Sequence, residues 1–359
     1  MGLFPKDRDL TRVPREVVLP VRASDYQVRP RDLHVRLDAF LRRHLRWRSR
    51  NSIQQLIHDG FVLVDPARPD RPHGGGDPSV ERRPGRRLLD GSSVVVRIPE
   101  SLQIQAPEGT SAELVVLYED PRVLAVDKPA GVTVHPSGRH LTDTLIQRVH
   151  ARYARAEDEG HPDRVLKLCH RLDKETSGVV LVARERRAHA LLMGQFERRE
   201  VEKEYLAIVH GVPASDHGVI ELPLAPSRTS RVHLKVAVAA DGQPSRTSWR
   251  VLETGADCAL LSCEPHTGRQ HQIRVHLEAI GHPVVGDKLY GVSEDVFLRQ
   301  AAGELSESDR RSLGLARHAL HNHRLAFFHP VTGERTEVVS PLPPDMEDYL
   351  TAHRSRVHP

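Results

Sequence analysis

The sequence predicts an α+β protein in which a mainly antiparallel mixed sheet forms the larger domain and a small α/β domain precedes it. Three observations carry this. The chain has 359 residues, a length that usually means two or three domains. Its apolar residues make up 38% and its charged residues 28%, an ordinary globular balance that excludes wholesale disorder. Beyond residue 113, runs of strand-like segments are interrupted by only a few helical ones, the pattern of α+β folds rather than of strict alternation.

Residues 1–30 are polar and unpatterned and are expected to form an unstructured lead-in. From Leu33 onward, Leu37, Phe40, Leu41 and Leu45 fall at helical spacing, with Asp32 placed as a cap. Ser49 is placed to cap a second helix with Ile53, Leu56 and Ile57 on one face, which Gly60 ends. Phe61 to Val64 reads as a strand. Residues 66–86 are rich in Pro, Gly and Arg and read as a loop. The triple glycine at 74–76 lacks the following Lys-Ser/Thr and the preceding strand of a phosphate loop, so it reads as linker. An Asp90-Gly91 turn and a strand over Val94–Ile98 complete a domain spanning 31–99, with an insertion at about 66–86. Residues 100–112 read as a linker, and 113–350 as the second domain.

Within that domain, Leu114–Leu117 and Val123–Val126 read as strands joined by a Glu119-Asp120-Pro121 turn. A helix is expected from Asp143 to about Arg155, followed by an acidic loop at Glu157–Glu159. Val179–Ala183 reads as a strand and Ala188–Phe196 as a helix. Tyr205–Val209, Val232–Val238, Thr247–Leu252 and Ala259–Cys263 read as strands. Gln270–Ile280 reads as a helix closed by Gly281, and Leu320–Phe328 as a late strand. No internal repeat is visible.

Composition narrows the function classes. Gly178–Ala183, six residues, is among the longest apolar runs, far below the roughly 18 a membrane helix needs. The opening MGLFPKDRDL has no apolar signal core, so neither secretion nor organelle import is expected. Cys169, Cys258 and Cys263 make neither a disulfide framework nor zinc-ribbon spacing. A soluble protein of a reducing cytoplasm is the expectation. Seven arginines against three aspartates between Arg31 and Gly60 account for the whole formal charge of +4. Such a stripe is either a solvated helix face or a phosphate-binding surface.

Three segments carry chemistry. His170-Arg171-Leu172-Asp173-Lys174 sits on a connection between two strand-like runs, where catalytic groups are often displayed. The cations flanking Asp173 favour its ionised form, suiting a nucleophile or base, although spacing alone also fits an ion-paired surface loop. The second, Glu202–Ala207, opens a strand with Tyr205, one of six tyrosines. The third is Gly268-Arg269-Gln270-His271-Gln272-Ile273-Arg274. On a helix beginning near Arg269, Gln270 and Arg274 share a face. His271 and His276 are five apart, the wrong spacing for a helical zinc pair, and no metal is expected.

Together these segments resemble the RluA-type pseudouridine synthases. The match runs from Asp120-Pro121 and Ala125–Gly131, through His170–Asp173, to Gly268–Arg274 and Gly286-Asp287. Leu33–Ile98 resembles, more loosely, the alpha-L RNA-binding domain of a ribosomal small-subunit protein. The resemblance implies isomerisation of uridine to pseudouridine in folded RNA without a cofactor. Asp173 would then be the essential carboxylate, attacking the ribose or stabilising positive charge at the anomeric carbon. Tyr205 would stack on uracil and serve in proton transfer, and Arg274 would pair with the aspartate. Arg171 would fill the space left by the flipped nucleotide, a step physically required for access to a stacked base. Leu172 would pack beneath the loop, with Arg269 and His271 at the substrate. Asp127 is the rival carboxylate, set in a structural turn. Arg36, Arg42, Arg43, Arg46 and Arg50 would contact RNA. Ribosomal RNA of the large subunit is the implied partner, transfer RNA and a non-catalytic RNA-binding role are the alternatives, and a monomer is expected. The histidines at 318, 321, 323 and 329 receive no role.

Overall fold

A computed structural model of the chain describes residues 16–45, 50–67, 77–97, 114–135, 143–153 and 164–354. The chain divides into two compact units, Met1–Ala112 with His135–Ala156, and Glu113–Val134 with Glu157–Pro359.

The first unit contains β1 (Glu16–Pro20), β2 (Val35–Arg36), α1 (Leu37–His44), α2 (Arg50–His58), β3 (Val62–Asp65), β4 (Ser79–Val80), β5 (Arg87–Leu88) and β6 (Ser93–Arg97). An antiparallel sheet in the order β1-β6-β3-β4 carries the unit's core, and β2 and β5 form a separate two-stranded ribbon. Leu37, Phe40 and Leu41 of α1 and Ile53, Leu56 and Ile57 of α2 are buried in one cluster with Val17, Leu19, Val62, Val64, Val94 and Val96. The helical spacing read from the sequence is therefore the core-facing stripe. Gly60 adopts φ 84° after α2, as its position required.

Several expectations change here. The lead-in is not unstructured from residue 16 on: Val17 and Leu19 alternate inward on β1, which pairs with β6 as Val17↔Val96 and Leu19↔Val94. A five-residue strand with two inward side chains is too short to show against a polar background. The first helix also begins later than Asp32 suggested, at Leu37, because Val35 and Arg36 pair with Leu88 and Arg87. Within the insertion, Ser79 and Val80 form β4; residues 68–76, Ser49 and the whole linker at 100–112 lie outside the described residues. Helix α3 (Leu145–Tyr153), expected within the second domain, groups with the first unit.

The second unit is built on one ten-stranded sheet. Its strands are β7 (Val115–Glu119), β8 (Val123–Lys128), β9 (Arg164–Leu168), β10 (Ser177–Glu185), β11 (Glu202–His210), β12 (His217–Ile220), β15 (Thr247–Thr254), β16 (Cys258–Pro265), β17 (Leu320–Phe328) and β18 (Arg335–Val339); β13 (Leu224–Pro226) and β14 (Val236–Val238) form a separate hairpin. The main path runs β12-β15-β16-β11-β17-β10-β8-β7, with β9 on β10 and β18 on β17. Among the described residues only β10 and β17 pair in parallel, over two residues, so the sheet is mixed and mainly antiparallel. Helices α4 (Arg186–Arg198), α5 (Gln272–Ala279), α6 (Glu294–Ala302), α7 (Glu307–Leu313) and α8 (Pro344–His353) complete the unit. One apolar cluster lies around α4, β8 and β10, another around α5, α8, β11 and β16. The strand expected over Val232–Val238 forms only at β14.

Candidate active site

The connection from β9 to β10 is held from several sides. Gly131 N–H and the buried Lys128 ammonium both donate to the Lys174 carbonyl, at 2.9 and 3.0 Å, and Lys128 also reaches the carbonyls of Pro129 and Val132. The Asp127-Lys128-Pro129-Ala130-Gly131 turn is thus a clamp on the β9–β10 connection. The neighbouring Asp127 carboxyl has its pKa raised by burial. At the loop's start, His170 stacks on Phe196 at 5.1 Å and accepts a hydrogen bond from Leu181 N–H. Burial pushes its pKa down to about 3, so it is a neutral structural ring. At the loop's end, Glu175 accepts from the Lys288 ammonium at 2.6 Å, and Thr176 bonds His318 at 2.7 Å. Gly178 follows at φ 112°, where a Cβ would collide with the Asn322 backbone. Only glycine lets β10 cross β17 this closely. Asn322 also pairs with Tyr205 across β17 and β11, which sets the tyrosine one strand away from the loop.

These constraints deliver Asp173 to the wall of a cavity of about 1180 Å³, lined also by Arg171, Leu172, Tyr205, Arg269, His271 and Arg274. Asp173 Oδ2 accepts from Arg274 Nη1 at 3.1 Å across 101 positions of sequence. Asp173 Oδ1 has no hydrogen-bond partner among the described residues, and the side chain is about a quarter exposed at the cavity wall. Arg274 is 6% exposed and is itself gripped by Asp287, Nε to Oδ2 at 2.6 Å and Nη2 to Oδ1 at 2.8 Å. Asp287 is oriented in turn by the backbone N–H groups of Leu289 and Tyr290. Burial opposes the Arg274 charge, but Asp287 and Asp173 outweigh it and hold the guanidinium above the ordinary arginine range. The Tyr290 ring covers the guanidinium at 4.9 Å.

The turn before α5 differs from the sequence expectation. The helix begins at Gln272, because His271 occupies the N-cap in the left-handed conformation at φ 57°. Gln270 precedes the helix and shares no helical face with Arg274. The buried Gln272 side chain fixes this turn: its Oε1 accepts from Thr267 Oγ1 at 2.6 Å and Arg269 N–H at 3.1 Å, while its amide donates to Arg246 O and Thr247 Oγ1. His271 Nδ1 meets the Tyr290 hydroxyl at 2.9 Å, and its Nε2 lies 3.9 Å from Asp173. Burial, aided by Arg274, lowers its pKa to about 4, leaving it neutral at neutral pH. Burial first, and Asp173 second, push the Tyr205 phenol above its usual range, so it too is neutral. Leu172 is buried at the cavity wall.

Sequence reading missed Gln272, Tyr290, Glu175 and Lys288 as supports, and it quoted Asp287 without a role. A lone Asp thirteen residues after an Arg carries no local signal; only the Gly286-Asp287 pair within the motif set pointed to it. In the first unit, Arg36 is tied to Asp38 by two hydrogen bonds of 3.0 Å. Arg43 donates to Asp25 O and covers the Tyr26 ring. Arg42 and Arg50 are exposed, and Arg46 lies outside the described residues. Because α1 ends at His44, no single helix lines up positions 42, 46 and 50. Of the unassigned histidines, His321 bonds Ser177 Oγ and Ser340 O, and His323 also bonds Ser340 O, so both are structural. Among the described residues, no three His, Cys, Asp or Glu side chains are arranged to hold a metal ion, and no helix is long and apolar enough to cross a membrane.

Comparison with known proteins gives one consistent picture. Residues 122–279 match the family model described as RNA pseudouridylate synthase. An uncharacterised RNA pseudouridine synthase of Bacillus subtilis is 35% identical, covering 88% of this chain and 93% of that protein. The ribosomal large subunit pseudouridine synthase D of Xanthomonas campestris is 36% identical over 89% of each. Among solved structures, human RNA pseudouridylate synthase domain containing 1 is 28% identical with a TM-score of 0.52, covering 67% of this chain and 89% of that one.

Proposed function

Because the chain belongs to the RNA pseudouridine synthase family, an RNA isomerase by descent, we propose that it converts uridine to pseudouridine in large-subunit ribosomal RNA with Asp173 as its reactive carboxylate. The similarity to synthases named for the large ribosomal subunit supports that RNA. One observation supports this mechanism: Arg274 ties Oδ2 of Asp173 while Asp287 fixes Arg274, leaving Oδ1 without a protein partner among the described residues.

In the reaction, the bond from uracil N1 to C1′ breaks, C5 bonds to C1′, C5 loses a proton and N1 gains one. Positive charge builds at C1′ as the first bond breaks, the same demand that glycosidases meet with a carboxylate. Asp173 meets that charge as an attacking oxygen or as an ion pair. Uracil leaves as a bound anion, so no second acid is needed to expel it. Tyr205 is held as a neutral phenol, which suits a stacking face for uracil better than a base. Arg171, on the loop beside Asp173, takes the helical space vacated by the flipped nucleotide. Leu172 packs under that loop, and Arg269 and His271 contact the substrate from the facing turn. The first unit serves as an RNA-holding domain, with Arg42 and Arg50 as exposed phosphate contacts; salt dependence of RNA binding tests this.

Tritium release from RNA labelled at uracil C5 tests the reaction itself. Wild type releases label from large-subunit ribosomal RNA, and Asp173→Ala releases none. Equal release by both proteins, or none by wild type, overturns the assignment.

A further inference from the structure

We propose that Lys203 and Arg199 form a phosphate-binding subsite on the cavity wall, gripping the RNA backbone beside the nucleotide that Asp173 serves. The proposal rests on the RNA reading above and adds a specific set of contacts to it. Both residues line the same cavity as Asp173 and Tyr205, and Lys203 lies two residues before Tyr205 on β11.

Charge is unevenly paired around that wall. Three other cavity-lining cations are already occupied: Arg246 pairs with Glu221 at 3.0 Å, Arg274 with Asp287, and Arg324 with Glu204 at 3.0 Å; Arg171 and Arg269, the remaining two arginines of the lining, are those already assigned to the flipped nucleotide and the substrate. Lys203 stands between two glutamates, yet neither serves it. Glu202 is taken by Arg335 at 2.6 Å, and Glu204 by Arg324 and the Ser262 hydroxyl. The same division recurs at the end of α4. Glu200 is taken by Arg198 through two hydrogen bonds, 2.8 and 2.9 Å, and Arg199 is left without a carboxylate. Among the described residues, neither Lys203 nor Arg199 has an ion-pair partner.

Arg199 also holds an unusual backbone position. It caps α4 in the left-handed region at φ 60°, where glycine or asparagine is the relaxed choice. Lys203 is partly buried, and burial with no carboxylate at hand lowers its pKa from the lysine range. An incoming anion would offset that cost. Two cations four residues apart, open to the cavity and lacking internal partners, suit the diester phosphates of a strand that delivers one nucleotide to Asp173. A free acidic side chain would bring one charge, whereas a strand brings one at each nucleotide.

The test uses full-length protein and an in vitro transcript of bacterial large-subunit ribosomal RNA. Single-turnover pseudouridine formation is measured against protein concentration at several KCl concentrations. Lys203→Met keeps the stem and removes the charge; Arg199→Asn removes the charge and suits the left-handed backbone, so folding is preserved. Each variant should raise the half-saturating concentration roughly sixfold at 0.1 M salt and flatten its log–log salt slope by about 0.8, the value of one phosphate contact. The maximal rate should fall by less than the affinity does, and Lys203→Arg should restore most of the affinity. With wild type active, an unchanged salt slope overturns the subsite and leaves the isomerase reading standing. A Lys203→Met loss confined to the maximal rate also overturns it, placing the ammonium on uracil instead. An inactive wild type overturns the isomerase reading, and the subsite falls with it.

Discussion

Asp287→Asn isolates the part of the site that lies one step behind Asp173, the carboxylate proposed to react. The side chain is 1% exposed and makes four hydrogen bonds, two from Arg274 and two from backbone N–H groups of Leu289 and Tyr290. Asparagine keeps the volume and one acceptor oxygen, so the backbone bonds can persist. It loses the charge and turns an N–H group toward a guanidinium that only donates. Removing one member of a buried ion pair costs about 3–5 kcal/mol. Asp173 remains as a second partner for Arg274, so about 3 kcal/mol is expected. Freed on one side, the guanidinium can pivot toward Asp173 and draw it from C1′. A hundredfold loss in the rate at saturating RNA, about 2.7 kcal/mol of barrier, is expected with little change in half-saturation. Urea unfolding reads the first quantity and single-turnover tritium release the second. A variant that loses stability but keeps its rate within threefold would show that Asp287 does not position the catalytic pair. One that loses neither would show that the pair does not carry the load the geometry assigns to it.

Two further outcomes follow from the same structure. Burial lowers the pKa of His170 to about 3, and of His271 and His321 to about 4. Unfolded, each would protonate near 6.5, so stability is complete above that pH and is lost as pH falls toward 4. Near pH 5 the three together contribute a slope of about 4 kcal/mol per pH unit; urea midpoints that stay level between pH 7 and 5 would contradict this. In the first unit, Arg42→Ala and Arg50→Ala should each flatten the salt dependence of RNA binding by about 0.7–0.9, measured by filter binding, and an unchanged slope would remove them as phosphate contacts.

Much of the candidate site could be read from sequence because its proposed reacting residues lie in three short motifs. Asp173, Tyr205 and Arg274 were all named from those motifs, and the structure brings Asp173 and Arg274 to 3.1 Å. What was not legible lies in pairings between distant residues. Periodicity records which face of an element is apolar, but not that Lys288 reaches back 113 positions to Glu175, nor that Glu202 and Glu204 are claimed by arginines from β17 and β18. The start of α5 was misplaced for a local reason. His271 takes a left-handed backbone that is uncommon for any residue but glycine, so the helical pattern appeared to run through the turn. β1 was missed because its evidence is in its partner: five residues have little pattern of their own until β6 lies beside them.

The uneven grip on Arg274 shapes what Asp173 can do. Two nitrogens of the guanidinium are locked to Asp287, and a third reaches Asp173 through one contact to a single oxygen. A tether at one point permits swivelling where a two-pronged clasp would forbid it. In the reaction proposed above, the carboxylate could therefore track the sugar as its bond to the base lengthens, while the positive charge behind it stays put. A moving acid on a stationary anchor suits a rearrangement in which the departing ring must turn over without being released.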